Sequence, residues 1–227
     1  QFYQVIKDCN EYERFVFITG VTKFAHTSLF SGANNPTDLT MEYDYATMLG
    51  YTDEELRSNF QDYIDRTVKL MNVDETSLLA EMKHRYDGFR FAPDAQTVYN
   101  PVSVGKFFRN GRVFDNYWAD TGTPSFFFKA ARETPMSVIE KQRGKYVDKL
   151  SFEKYEVDKL DPFVFAVQCG YLTLQDAITE GDETLYRFDF PNTEIRTTFT
   201  RFLLSAHIDK REAESDLLMR ELRALLK

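Results

Sequence analysis

Six residues near the start of the chain, Phe15-Val16-Phe17-Ile18-Thr19-Gly20, set the hardest condition on any fold. A compact run of β-branched and aromatic residues closed by glycine reads as a strand buried on both faces, the pattern of a parallel sheet covered by helices. No second run of this kind occurs in the 227 residues. A parallel strand left alone would bury a row of unpaired backbone groups. Its neighbours are therefore expected to come from outside this sequence.

Helix signals dominate the middle of the chain. Before them, residues 4–13 read as the end of a helix. Ser31-Gly32-Ala33-Asn34-Asn35-Pro36 is turn chemistry leading to a polar loop and a short tyrosine-rich helix. Thr52 is an N-cap with Glu55 three residues on and acid in the first turn, which predicts a helix to about Leu70. A second helix is expected from about Asp74 to Tyr86, broken by Tyr86-Asp87-Gly88-Phe89. Asn100-Pro101 opens a third, ending near Asn110-Gly111, and Thr121-Gly122-Thr123-Pro124 precedes a fourth over Ser125–Arg132.

The pattern then changes. Asp161-Pro162 starts a short apolar helix that Gly170 ends, and Tyr171-Leu172-Thr173-Leu174 reads as a strand. The turn Glu180-Gly181-Asp182 leads into the alternating strand Thr184–Phe190. Pro191-Asn192-Thr193 caps a helix whose Ile195, Phe199, Phe202, Leu203 and Ala206 share one face. Helix, strand, turn, strand, helix is the order of a winged-helix module. A last helix is expected over Glu212–Lys227.

Composition fixes the class. Hydrophobic residues are 43% of the chain and aromatic ones 15%, enough for a sizeable core without staples. Two cysteines, Cys9 and Cys169, argue against a secreted disulfide scaffold. No apolar run approaches the ~18 residues that a bilayer span needs. A soluble cytoplasmic protein is expected, with no membrane partner. The net charge of −8 makes the chain a poor non-specific binder of nucleic acid.

Catalytic constellations are absent from the pattern. His26, His84 and His207 are isolated, with no His-x-x-x-His or Cys-x-x-Cys spacing for a metal. No Gly-x-Ser-x-Gly and no Gly-x-x-x-x-Gly-Lys-Ser/Thr occurs, so this chain holds neither a nucleophile elbow nor a P-loop. What remains is the end of the apolar run. In open α/β sheets ligands lie beyond the carboxyl ends of strands, where Thr19, Thr22 and Lys23 would offer hydroxyls and a cation to an anion. A plain strand end with a polar turn explains the same residues.

Several motifs recur in one order over nearly the whole chain. They are Phe17-Ile18-Thr19-Gly20-Val21-Thr22-Lys23-Phe24, Ser28–Gly32, Leu49–Leu56, Tyr86–Phe89, Tyr99-Asn100-Pro101, Tyr117-Trp118 with Thr121–Pro124, and Gly170–Thr173. In these the chain resembles the predicted AAA-ATPase-like family of bacterial proteins, whose members usually end in a PD-(D/E)XK nuclease-like domain. The resemblance implies that the Walker A loop and Walker B Asp precede Gln1, and that the nuclease-like domain, which would begin near Pro191 to Ala206, is also missing from this sequence. It also implies that the strand at 15–19 bears the sensor-1 polar residue, Thr19 or Thr22, with ATP and magnesium bound only in the full-length protein.

The expected fold is thus mainly α with few strands, in the α+β class. Residues 1–50 are the rear of a P-loop ATPase α/β core, 51–135 a helical lid, 136–208 a winged-helix-like module and 209–227 a C-terminal helix or linker. The leading functional expectation is a nucleotide-dependent regulatory switch, not catalytically competent in this chain alone. The alternatives are a nucleic-acid-binding adaptor for a nuclease-like domain and a structural interaction module. Partners would be the P-loop segment and nuclease-like domain of the same protein, with a further protein partner left open. Specific DNA binding is disfavoured: the helix before the first wing strand is apolar nearly all round, and Glu180, Asp182 and Glu183 would repel phosphate. Trp118, after Phe114 and Tyr117, is expected in the core of the lid.

Overall fold

Thr52 begins the first long helix by reciprocal capping. Its hydroxyl accepts from the Glu55 N–H at 3.1 Å, and the Glu55 carboxylate accepts from the Thr52 N–H at 2.9 Å. Helix α1, Asp53–Met71, ends on Asn72, whose φ of 53° reverses the chain. Asp74 caps α2, Glu75–Tyr86, by accepting from the Ser77 N–H at 2.8 Å. Asn100 caps α3, Pro101–Asn110, with Oδ1 accepting from the N–H groups of Val102 and Ser103. The computed structural model describes residues 8–20, 37–110, 113–121, 139, 142–153 and 161–208.

Sheet and helices alternate in the second half. Strand β1, Tyr146–Val147, is followed by α4, Leu150–Glu153, and α5, Pro162–Gln168. Strands β2, Thr173–Glu180, and β3, Glu183–Asp189, form a hairpin, and α6, Thr193–Ile208, closes the fold. The sheet is antiparallel in the order β1-β3-β2. A register shift between Leu174 and Asp176 skips Gln175, whose carbonyl accepts from Arg90 Nη1. With six helices and three strands among the described residues, the protein is mixed α and β, as expected.

Two large hydrophobic clusters result, beside a small one of Ala46, Ala92 and Ala95. The first gathers Leu56 and Ile64 of α1, Leu78, Met82 and Tyr86 of α2, Val104 and Phe107 of α3, and Tyr99 and Tyr117. The second gathers Phe163–Ala166 of α5, Tyr171, Leu174, Phe188, and Ile195, Phe199 and Phe202 of α6, together with Phe89 and Val98. Phe89 pairs with Val98, and Tyr51 with Tyr99, in isolated antiparallel bridges. Successive residues of an extended chain face opposite ways. Val98 accordingly serves the second cluster while its neighbour Tyr99 serves the first.

Several expectations are corrected. Residues 15–20 form no strand: Phe15 is 82% and Phe17 54% exposed. Among the described residues the backbone of 15–20 joins no ladder. Trp118 packs against the second cluster, its ring edge-on to Tyr171 at 4.8 Å, because the neighbouring Tyr117 and Phe114 already fill the first. The strand expected at 171–174 begins at Thr173 and runs on to Glu180, and β1 and α4 were not expected at all. The tyrosine-rich helix is a 3-10 turn, Tyr43–Tyr45. The helices expected over 125–132 and 212–227 lie outside the described residues.

The apolar helix α5 is buried from Pro162 through Ala166, as its composition required. It ends at Cys169, whose N–H donates to the Phe165 carbonyl and whose thiol is pushed up to about 12 by burial. Gly170 comes next, at φ 78°.

Candidate functional site

A line of polar groups joins the two clusters, and each is placed by the end of an element. The carboxyl end of α2 supplies His84 and Asp87, and α3 supplies Ser103. The 3-10 turn Tyr117–Thr121 supplies the backbone N–H of Trp118, and the start of α6 supplies Asn192, Thr193 and Glu194.

Asn192 works in two directions. Its Oδ1 accepts from the Ile195 N–H at 3.0 Å, capping α6, while its Nδ2 donates to the Asp87 carbonyl at 2.7 Å. His84 Nε2 lies 2.8 Å from Thr193 Oγ1. Asp87 is buried; one carboxylate oxygen accepts from Thr97 Oγ1 at 3.1 Å and lies 3.6 Å from Lys83 Nζ. Between these contacts the backbone of Gly88 passes Pro191 so closely that a Cβ on it would sit 2.0 Å from the Pro191 carbonyl oxygen. Its φ of 104° is open to glycine and costly for other residues.

Glu194 is the unusual member. Only 1% exposed, it accepts from Ser103 Oγ at 2.8 Å on one carboxyl oxygen and from the Trp118 N–H at 2.8 Å on the other. Burial pushes its carboxyl up to about 7, against the opposing pull of those two donors and the Tyr117 N–H; Asp115 adds a smaller upward push. Its folded value lies above its ordinary one, so folding takes up a proton. The stability it contributes is fullest below about pH 4.5 and is lost as pH rises through 7.

The seam is a joint, by its chemistry. Its residues make hydrogen bonds to one another in pairs, and no group of three or more His, Cys, Asp or Glu able to hold a metal occurs among the described residues. The residues expected to meet an anion are elsewhere. Thr19 is exposed on irregular backbone, and Thr22 and Lys23 lie outside the described residues. The turn Tyr86–Phe89 and the cap at Asn192 were visible as sequence motifs. Glu194, Ser103 and His84 were not. A serine amid Val102, Val104, Phe107 and Phe108 was the one available signal that α3 buries a hydroxyl.

No described helix is long and apolar enough to cross a membrane. An uncharacterized protein in the vnfD 5' region of Azotobacter chroococcum mcd 1 is 30% identical to this chain over 206 residues. The match takes in 91% of this chain and 37% of that protein, so the chain spans well under half of the relative's length. No family model matches the chain, and no solved structure matches it.

Proposed function

We propose that this chain is the lid and winged-helix-like part of a nucleotide-dependent switch of the AAA-ATPase-like type. The observation that carries the reading is a pair of large hydrophobic clusters tied together by specific hydrogen bonds, with Phe89, Val98 and Trp118 packing from the first half into the second. Two cores joined by so few contacts can shift against each other when those contacts re-form. The order α5-β2-β3-α6, with β1 on the far edge of the hairpin, is in keeping with a winged-helix-like module. The exposed face of Phe15–Ile18 is the kind of surface that an α/β core sheet would cover.

Nucleotide would be held by a P-loop segment that this sequence does not contain. No Gly-x-x-x-x-Gly-Lys-Ser/Thr occurs in the sequence, and Thr19 is exposed on irregular backbone. This chain should therefore bind ATP weakly or not at all. In the full-length protein, Thr22→Val and Lys23→Ala should lower hydrolysis more than folding stability. Micromolar ATP binding to the 227-residue chain by calorimetry, or unchanged turnover in both variants, overturns the reading.

The adaptor reading has less support. A DNA-reading helix must present polar side chains, and α5 is buried. Arg187 is held by the Asp176 carboxylate, with Nε 3.1 Å from Oδ2, and Arg143 by Asp189 at 2.7 Å. An anisotropy titration at about 0.15 M salt separates the two. Submicromolar duplex binding, abolished by Arg196→Glu, would favour the adaptor.

A further inference from the structure

We propose that the outer edge of β2 is a self-association surface: it pairs, antiparallel, with the same edge of a second copy of this chain. The hairpin's own hydrogen bonding decides which backbone groups face outward. The Gly144 N–H, just before β1, donates to the Phe188 carbonyl. Even-numbered residues of β3 therefore turn their backbone groups toward β1, and odd-numbered ones turn theirs toward β2. Arg187, Leu185 and Glu183 are paired with Asp176, Ile178 and Glu180, whose groups point inward to match. The N–H and C=O of Ala177 and Thr179 point outward, and among the described residues no backbone group meets them. The next outward group, the Gln175 carbonyl, is closed off by Arg90 Nη1.

The open stretch is complementary to itself. A two-fold axis beside Ile178 sets Ala177 opposite Thr179 of the copy and Thr179 opposite Ala177, so each outward N–H and C=O finds a partner. The half-buried Ile178 side chains meet across the axis on one face of the sheet. Charge agrees with this register. The hairpin tip carries Glu180, Asp182 and Glu183, all exposed. The other end of the stretch carries two guanidiniums: Arg90, bonded to a neutral carbonyl, and Arg187, which offsets the Asp176 carboxylate. Antiparallel pairing brings the acidic tip of each copy to the basic end of the other, where the charge of Arg90 remains to meet it. Two three-stranded sheets become one, in the order β1-β3-β2-β2-β3-β1. The pairing needs no nucleotide and stands apart from the switch reading.

An edge this short makes a small interface, so a dissociation constant on the order of 10–100 µM is expected. Sedimentation velocity of the 227-residue chain, run on either side of that range, should show a monomer–dimer equilibrium. Thr179→Pro removes an outward N–H and leaves the hairpin's own ladder intact. The two-fold axis doubles the loss, so the dimer should weaken by at least about 10-fold. Phe17→Lys, on the exposed run near the start of the chain, must leave the equilibrium unchanged. A chain that stays monomeric throughout, a dimer that survives Thr179→Pro, or one lost in Phe17→Lys overturns the proposal. Should Thr179→Pro fail to fold, amide exchange of the wild-type chain decides. The Ala177 and Thr179 amides should exchange fast in the dilute chain and slowly in the concentrated one. Slow exchange at both concentrations means that another segment already covers the edge, and fast exchange at both leaves it to a strand of a different protein. Either result refutes self-pairing.

Discussion

Gly88→Ala should cost about 3–5 kcal/mol of stability, at the severe end for a single methyl group. Two costs add. Alanine is strained at a φ of 104°, and its Cβ would be driven to 2.0 Å from the Pro191 carbonyl oxygen. The obstructing atom is backbone, so no side chain can swing aside. Pro191 in turn is followed by Asn192, whose side chain is tied to the carbonyl of Asp87. Relief of the clash therefore means parting the seam. Urea unfolding followed by far-UV circular dichroism should show the midpoint collapse. A loss under about 1 kcal/mol would mean that the two segments separate freely, and that the seam does not join the clusters.

The second large effect is expected at Tyr171→Ala, again about 3–5 kcal/mol. The ring is fully buried, and it meets Trp118 at 4.8 Å, Phe199 at 5.1 Å and Phe202 at 6.3 Å. Trp118→Ala should cost less, since that ring is only half-buried. The double variant tests whether the edge-on pair bridges the clusters. A coupling of about 0.5–1.5 kcal/mol is expected for an aromatic pair in contact, and strict additivity would show that Trp118 merely leans on the second cluster.

What the sequence disclosed and what it hid divide along physical lines. The capping box at Thr52 was legible because both of its bonds are local, made within four residues. The burial of α5 was legible because a helix apolar on every side has no alternative. Strand β2 was read too short because, lying at the sheet edge, it needs little apolar surface, and Gln175–Glu180 is mostly polar and partly exposed. Strand β1 is two residues long, too short for any period to declare itself. The run at Phe15–Ile18 shows the opposite failure: strand-forming composition cannot make a strand without a neighbour to pair with.

Glu194 illustrates the deepest limit. An acidic residue one position into a helix, after an Asn-Thr cap, ordinarily complements the helix dipole in water. Its burial comes from Ser103 and Trp118, which lie 91 and 76 positions away, and no local pattern encodes contacts at that range. The nucleotide-facing residues are a different case. Thr19, Thr22 and Lys23 were chosen for their place after a strand that the structure does not form, and only Thr19 lies among the described residues.

The thiol at the end of α5 has a practical consequence. With its proton held up to about 12, Cys169 is almost wholly protonated in neutral solution, and the protonated thiol is a poor nucleophile toward alkylating reagents and disulfides. The side chain is partly exposed, so the held proton rather than access slows reaction there, and a thiol reagent should consume Cys169 more slowly than an ordinary exposed thiol.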